Sequence, residues 1–304
     1  MKKFRNVLPV LCLLVAANSF AASYRVPAAD QSVIGDVKVT SVGPTDTIIT
    51  LSQNNNIGYN ALESANPQLN LRQPLPVGAP VIIPAKHLLP TDARQGIVVN
   101  LPEMRMYYFP AGSNEVFTYP IGIGKLGKMI PIRNAVVTYK KENPTWTPPN
   151  DIREFNLEQG IVLPKVMPAG PDNPLGPYAI YMTIPTYLIH STIFPESIGK
   201  RASFGCIRMY EADMTQLFPS VQRGIPITII NKPVKVGWES DELFLEAHQP
   251  LEEHSSAGDA NLPGMVHALS HEAKDQAVLI DWQMVAYIAK ERDGLPHSVG
   301  VKLR

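Results

Sequence analysis

Cysteine is the scarcest useful residue in this chain of 304: there are two, Cys12 and Cys206. Cys12 falls in a stretch with the marks of a removable export signal. Met1-Lys2-Lys3-Phe4-Arg5 is basic, Val7 to Ala17 is apolar, and Ser19 and Ala21 place small residues at the −3 and −1 positions of a cut after Ala21. The expected mature chain keeps one thiol, Cys206, which excludes an internal disulfide. An unpaired thiol exposed to an oxidising compartment points to a use for it. Long apolar runs are also missing. The signal stretch is short for a bilayer span and no later segment is apolar enough, so an integral membrane protein is not expected. Nor is there an excess of positive charge. Basic and acidic side chains number 27 each, and loss of Lys2, Lys3 and Arg5 with the signal leaves the acidic ones in slight excess. That balance argues against nucleic acid as a partner. Neither an internal repeat nor a phosphate-binding glycine pattern is present; Gly122 and Gly124 read as a strand and turn.

What the chain does have is 29 prolines and 45% apolar residues, which suits a strand-rich protein with sizeable cores better than a helical bundle. Residues 38–84 predict a small unit: a strand at Val37–Thr40, a helix over Ile48–Gln53 capped by Asp46-Thr47, a second helix over Tyr59–Ala65, and a closing strand Val81–Ile83. His87–Gln95 reads as a linker. Residues 96–231 carry repeated short β-rich runs, at Ile97–Asn100, Met106–Phe109, Val116–Ile121, Ala135–Tyr139, Ala179–Ile184, Tyr187–Ile189 and Ile225–Ile230, with one helix near Glu211–Leu217. The expected fold class is mainly β, a sandwich or barrel-like domain. Residues 232–304 form a C-terminal extension with a strand at Glu242–Ala247 and helical spacing over Asp275–Arg292.

The chemistry centres on Cys206 and His190, which is the one histidine between His87 and His248. A thiol and an imidazole are the minimum equipment for acyl transfer through a thioester. Gly205 allows a tight turn before the thiol, and such a turn can aim backbone N–H groups at an oxyanion. Arg208, two residues on in an extended segment, points to the same side as Cys206, where it can hold a carboxylate. A histidine taken alone is as readily a hydrogen-bonded core residue. His267 and His271 have helical spacing but no further ligand cluster, and read as a solvated face. Trp146, among prolines, suits either a stacking platform or a loop anchor.

Ile189-His190-Ser191-Thr192, followed by Ser203-Phe204-Gly205-Cys206-Ile207-Arg208-Met209, resembles the L,D-transpeptidase (YkuD) family, and Asn173-Pro174-Leu175-Gly176 is similar to another of its segments. Thr45-Asp46-Thr47-Ile48, Leu62–Pro67 and Leu75-Pro76-Val77-Gly78 resemble a LysM domain, a glycan-binding module. Together with the signal, the arrangement looks like the periplasmic Gram-negative members of the family. The resemblance implies Cys206 as nucleophile, His190 as proton acceptor oriented by the Ser191 carbonyl, and Arg208, Gly205 and Ser203 at the substrate. It implies attack on the meso-diaminopimelate–D-alanine bond of a peptidoglycan tetrapeptide stem, with no metal or organic cofactor. The acyl group then passes to an amine, on another stem or on a wall-anchored lipoprotein. The alternatives are a carboxypeptidase or amidase of the same chemistry, or a silenced peptidoglycan-binding protein. Three positions depart from the family pattern: Ser191 stands where glycine is usual, Phe204 where a small or polar residue is, and Met129–Arg133 replaces a Thr-Pro-x-Gly turn.

Overall fold

A computed structural model describes residues 22–90, 94–257, 261–274 and 276–303. The export signal expected over residues 1–21 lies outside the described residues.

The strands Gly96–Asn100 and Arg105–Phe109 are buried along their whole length, so both faces must be covered by other layers. They lie inside a nine-stranded sheet. Its order is Ala22–Arg25, Glu115–Pro120, Arg105–Phe109, Gly96–Asn100, Pro226–Ile230, Asn134–Glu142, Tyr178–Met182, Leu188–Ser191 and Ile207–Met209. Two neighbouring pairs are parallel, Gly96–Asn100 with Pro226–Ile230 and Leu188–Ser191 with Ile207–Met209. The long strand Asn134–Glu142 serves two halves. Its first residues pair with Pro226–Ile230 and its later ones with Tyr178–Met182, with a register shift between Val137 and Tyr139. A bulge of this kind bends a strand from one sheet direction to another. The last strand is also held from its other side, because Gly122, just past Glu115–Pro120, and Arg208 exchange backbone hydrogen bonds of 2.9 Å in both directions. The result is the mainly β, barrel-like body that the strand pattern predicts. Ile97, Val99, Met106, Ile180, Ile189 and Ile207 fill it, and the helix Glu211–Ser220 adds Met214 and Leu217.

Residues 37–84 follow the expected strand, helix, helix, strand order, with antiparallel pairing of Val37–Ser41 and Pro80–Pro84. Thr47 and Thr50 form a reciprocal cap on the first helix. Asn66 ends the second helix and joins it to the strand: its side chain bonds the Leu62 and Ile82 carbonyls and the Ile82 amide. This unit is fastened to the β body. The Tyr59 and Asn60 amides donate to the Ile198 and Gly199 carbonyls at 3.0 and 3.1 Å, and the buried Asn56 amide donates to Asp213 at 2.8 Å.

Two expectations change. His87–Gln95 is not simply a linker, since His87–Leu88 pairs with Val33–Ile34; residues 91–93 lie outside the described residues. Nor is Asp275–Arg292 one helix. Val278–Ile280 is a strand paired with His297–Lys302, and the helix Trp282–Glu291 starts only after Asp281, whose carboxylate accepts from the Gln283 and Met284 amides. Branched residues that can pair with a neighbouring strand override the helical spacing, and the aspartate restarts the chain as a cap. The extension is a four-stranded sheet with two helices, Leu262–Glu272 and Trp282–Glu291. His267 and His271 sit on the exposed side of the first of these helices.

A buried ionic cluster joins the extension to the body. The Lys235 ammonium lies 2.9 Å from Glu103, 2.7 Å from Glu246 and 2.6 Å from the Leu88 carbonyl. Glu246 also meets His248 at 2.6 Å and accepts from the Leu88 amide. Glu103, Glu246 and His248 are close enough to suggest a metal site, but Lys235 already supplies the positive charge there. Burial alone would raise the Glu103 pKa; the charges of Lys235, His248 and Arg105 overcome it and hold the carboxyl well below its usual range. Removing one partner of a buried ion pair strands the other charge, at a cost of about 3–5 kcal/mol. Lys235→Met is therefore expected to lower the urea unfolding midpoint sharply, whereas an unchanged midpoint would contradict this role.

Candidate active site

The parallel register sets Ile189 beside Ile207, His190 beside Arg208 and Ser191 beside Met209. Strand alternation sends Ile189, Ile207 and Met209 into the core, and so His190, Cys206 and Arg208 to the other face. All three line one cavity of about 1100 Å³, shared with Trp146, Tyr181 and Tyr187. The side-by-side placement of thiol, imidazole and guanidinium follows from one strand pairing.

The turn before the thiol is braced from within. Ser203 Oγ donates to the Cys206 carbonyl at 2.6 Å and accepts from the Gly205 amide at 3.0 Å. Ser203, expected at the substrate, lines the same cavity as Cys206, with its hydroxyl bonded into this turn. Gly205 has φ +114°, and a Cβ there would lie 2.5 Å from the Tyr187 ring and 2.9 Å from the Lys128 carbonyl. Only glycine meets both demands.

His190 Nδ1 lies 2.5 Å from the Ser191 carbonyl oxygen. A carbonyl only accepts, so Nδ1 carries the proton and Nε2 keeps its lone pair. Burial, helped by the Arg208 charge, pushes the His190 pKa down to about 4, against the pull of the Ser191 and Leu175 carbonyls. Burial pushes the Cys206 thiol up, only partly offset by a Leu188 backbone bond and by Arg208. At neutral pH both groups are therefore uncharged. The proton leaves sulfur only when the imidazole takes it, which suits a general base better than a standing thiolate. Arg208 Nε is buried with no hydrogen-bond partner among the described residues, and the guanidinium lies 5.8 Å from the Phe194 ring centre. A guanidinium with an unpaired Nε in the cavity of the thiol is suited to a substrate carboxylate or oxyanion.

The side chain at Ser191 is accommodated. Its Oγ donates to the Leu175 carbonyl at 3.0 Å and accepts from the Tyr178 amide at 3.1 Å, anchoring the turn that carries Gly176. A Cβ at Gly176 would come 2.6 Å from that oxygen, and its φ of +62° suits glycine. In the segment Met129–Arg133, the Met129 carbonyl accepts from the Tyr187 hydroxyl at 3.2 Å. Sequence reasoning did not find Tyr187, Thr186, whose carbonyl lies 3.8 Å from the Cys206 sulfur, or the helix Asn150–Glu158 at the cavity mouth. None of these has a motif; they are found only by where the chain folds back.

A thiol, an oriented neutral imidazole and a guanidinium in one large cavity on a β scaffold have the equipment of a thiol-based acyl-transfer enzyme. Comparison with known proteins is more specific. Residues 94–229 match the YkuD family, the L,D-transpeptidase catalytic domain. The chain is 38% identical over 285 residues to the probable L,D-transpeptidase YcfS of Escherichia coli (strain K12), covering 92% of this chain and 88% of that one. It is 35% identical over 307 residues to the probable L,D-transpeptidase ErfK/SrfK of Salmonella typhimurium, covering 98% of each. To the probable L,D-transpeptidase YbiS of Escherichia coli (strain K12) it is 39% identical over 236 residues, 76% of each. The chain belongs to the L,D-transpeptidase family. No helix among the described residues is long and apolar enough to cross a membrane.

The electrostatics give a pH test. An unfolded imidazole takes its proton near pH 6.5 and folded His190 only near 4. Its contribution to stability is complete above 6.5 and is lost as pH falls between these values. The His190 ring signals are expected to titrate by NMR with a midpoint near pH 4; an ordinary midpoint near 6.5 would contradict the buried, neutral base.

Proposed function

We propose that the protein is a peptidoglycan L,D-transpeptidase working through a thioester on Cys206. His190 Nε2 takes the thiol proton as sulfur attacks the carbonyl of the meso-diaminopimelate–D-alanine bond. The tetrahedral oxyanion is stabilised by Arg208 and by the Cys206 backbone N–H at the end of the Gly205 turn, the Gly205 N–H itself being bonded to Ser203. The C–N bond then breaks, His190 returns its proton to the departing D-alanine nitrogen, and a thioester remains. An amine acceptor attacks that thioester, loses its proton to His190 and leaves with the acyl group, restoring the thiol. The acceptor is an amine of another stem or of a wall-anchored lipoprotein. The observation that carries this reading is the locked His190 tautomer, with Nδ1 held by Ser191, in the same cavity as Cys206 and Arg208.

In this reading residues 1–21 export the protein to the periplasm, residues 38–84 are a LysM-like module that holds wall glycan, residues 96–231 carry the catalysis, and residues 232–304 are an extension that braces it. Two observations support the division of labour. The small unit has its own core, built on Leu51, Leu62, Val81 and Ile83, and its helix amides are bonded to the segment leading into the nucleophile strand.

A carbapenem acylates a reactive active-site thiol and leaves an adduct readable by intact mass. One adduct per chain is expected, absent in Cys206→Ala. In His190→Ala its formation should be about 10²–10⁴-fold slower, the usual worth of a general base. Labelling that persists in Cys206→Ala, or that ignores His190, would overturn the assignment.

A further inference from the structure

After its strand Glu242–Ala247 the C-terminal extension turns back onto the β body. Leu251 is buried in the body's core, and the short helical turn Glu252–Ala257 follows it. From there Glu253 reaches two segments at once. Its Oε1 meets the Arg201 guanidinium at 2.5 Å and accepts from the Gly127 amide at 3.2 Å. Arg201 in turn donates through Nε to the Gly124 carbonyl at 3.3 Å. Arg201 lies in the strand Arg201–Ser203, which pairs with Ile123–Gly124. One carboxylate oxygen of the extension thus staples this two-stranded ladder to the turn that leaves it.

The stapled segments back the turn that carries the thiol. The Lys125 amide donates to the Ser203 carbonyl at 2.9 Å, and the Lys128 amide closes a tight turn on the Lys125 carbonyl at 2.9 Å. The Lys128 carbonyl then sits against Gly205: a Cβ on Gly205 would lie 2.9 Å from it, and a Cβ on Gly124 would lie 3.1 Å from the Gly205 Cα. Gly127 and Lys128 also line the cavity that holds Cys206. Burial would raise the Glu253 pKa, but the hydrogen bonds from Arg201 and Gly127 hold the carboxyl below its usual range. The Arg201 and Glu253 side chains are 19% and 24% exposed, and so open a pair adds little to global stability. What it can do is local.

We infer that Glu253 is a positioning residue for the nucleophile: it fixes the 124–128 turn against Gly205, and so fixes the Cys206 N–H that meets the oxyanion. The inference rests on the proposed thioester reaction at Cys206. Glu253 is not among the residues that line the cavity and acts only through Gly127 and Arg201. Acyl transfer is sensitive to such placement, since an error of about 1 Å costs on the order of 10²-fold in rate. The extension therefore contributes to catalytic geometry as well as to the fold.

The test follows acylation of Cys206 by a carbapenem in the full chain, with the limiting rate separated from the half-saturating concentration. In Glu253→Ala the limiting rate is expected to fall about tenfold, the scale of one hydrogen bond to a charged group. The half-saturating concentration should stay within about twofold of the parent, as should alkylation by iodoacetamide, which builds no oxyanion. The urea midpoint should hold. Glu253→Gln keeps the accepting oxygen and should recover most of the rate. Arg201→Ala should slow acylation likewise, and the double variant no further than Arg201→Ala alone. An unchanged limiting rate in Glu253→Ala overturns the inference. So does a rise in the half-saturating concentration alone, which would make the turn a mere wall of the donor site. Alkylation that slows with acylation, or a sharp drop in the urea midpoint with no rescue by Glu253→Gln, overturns it too. If even the parent forms no carbapenem adduct while iodoacetamide labels Cys206, the thioester reading fails, and amide hydrogen exchange decides the positioning. Exchange at 124–128 and 203–206 that quickens in Glu253→Ala but not in Glu253→Gln sustains it, and unchanged exchange overturns it.

Discussion

The site depends on one strand pairing: Leu188–Ser191 alongside Ile207–Met209 in parallel register. Side-chain alternation makes that register do two jobs at once. The isoleucines and Met209 enter the core, while His190, Cys206 and Arg208 face the cavity. A slip of one residue would exchange the two sets. The mutual backbone bonds of Gly122 and Arg208 hold the outer strand of the pair from its other side, and its glycine has structural cause, since a Cβ at Gly122 would lie 2.6 Å from the Ser197 carbonyl.

The small unit that flanks the body bears on the same strand pair. The small unit's helix amides bond the Ile198 and Gly199 carbonyls, and the Gly199 amide bonds Ile121, the residue before Gly122. Elsewhere, Lys235 ties the extension to Glu103. Burial is used differently at the two places. Around Lys235 it is compensated by opposite charges, which hold the Glu103 carboxyl well below its usual range. Around His190 and Cys206 it is only partly offset, which holds the imidazole pKa down and the thiol pKa up.

Much of this was legible in the sequence. Short β-branched runs bounded by turn residues gave the body's strands to within a few residues, because their periodicity is local. The Cys206–His190 pair stood out by scarcity, and Arg208 by strand alternation. Elements whose form is decided by distant partners were not legible. Val278–Ile280 is a strand because His297–Lys302 is there to pair with it, and His87–Leu88 because Val33–Ile34 is. Ser191 and Phe204 were visible as departures from the family pattern, but their consequences were not. The room for the Ser191 side chain is made by Gly176, and the Phe204 ring meets Phe155 on a helix that carries no motif. Ser203 entered by the family resemblance; that its hydroxyl also braces the turn before the thiol is visible only in the fold.

The most direct measurement incubates the purified protein with a disaccharide-tetrapeptide stem and an amine-bearing acceptor stem, following free D-alanine and the new amide by mass spectrometry. The account predicts D-alanine release matched by a crosslinked product, with both lost in Cys206→Ala. Release of D-alanine without a new amide would show water as the acceptor and contradict transpeptidation. Turnover that survives the loss of Cys206 would contradict the thioester itself.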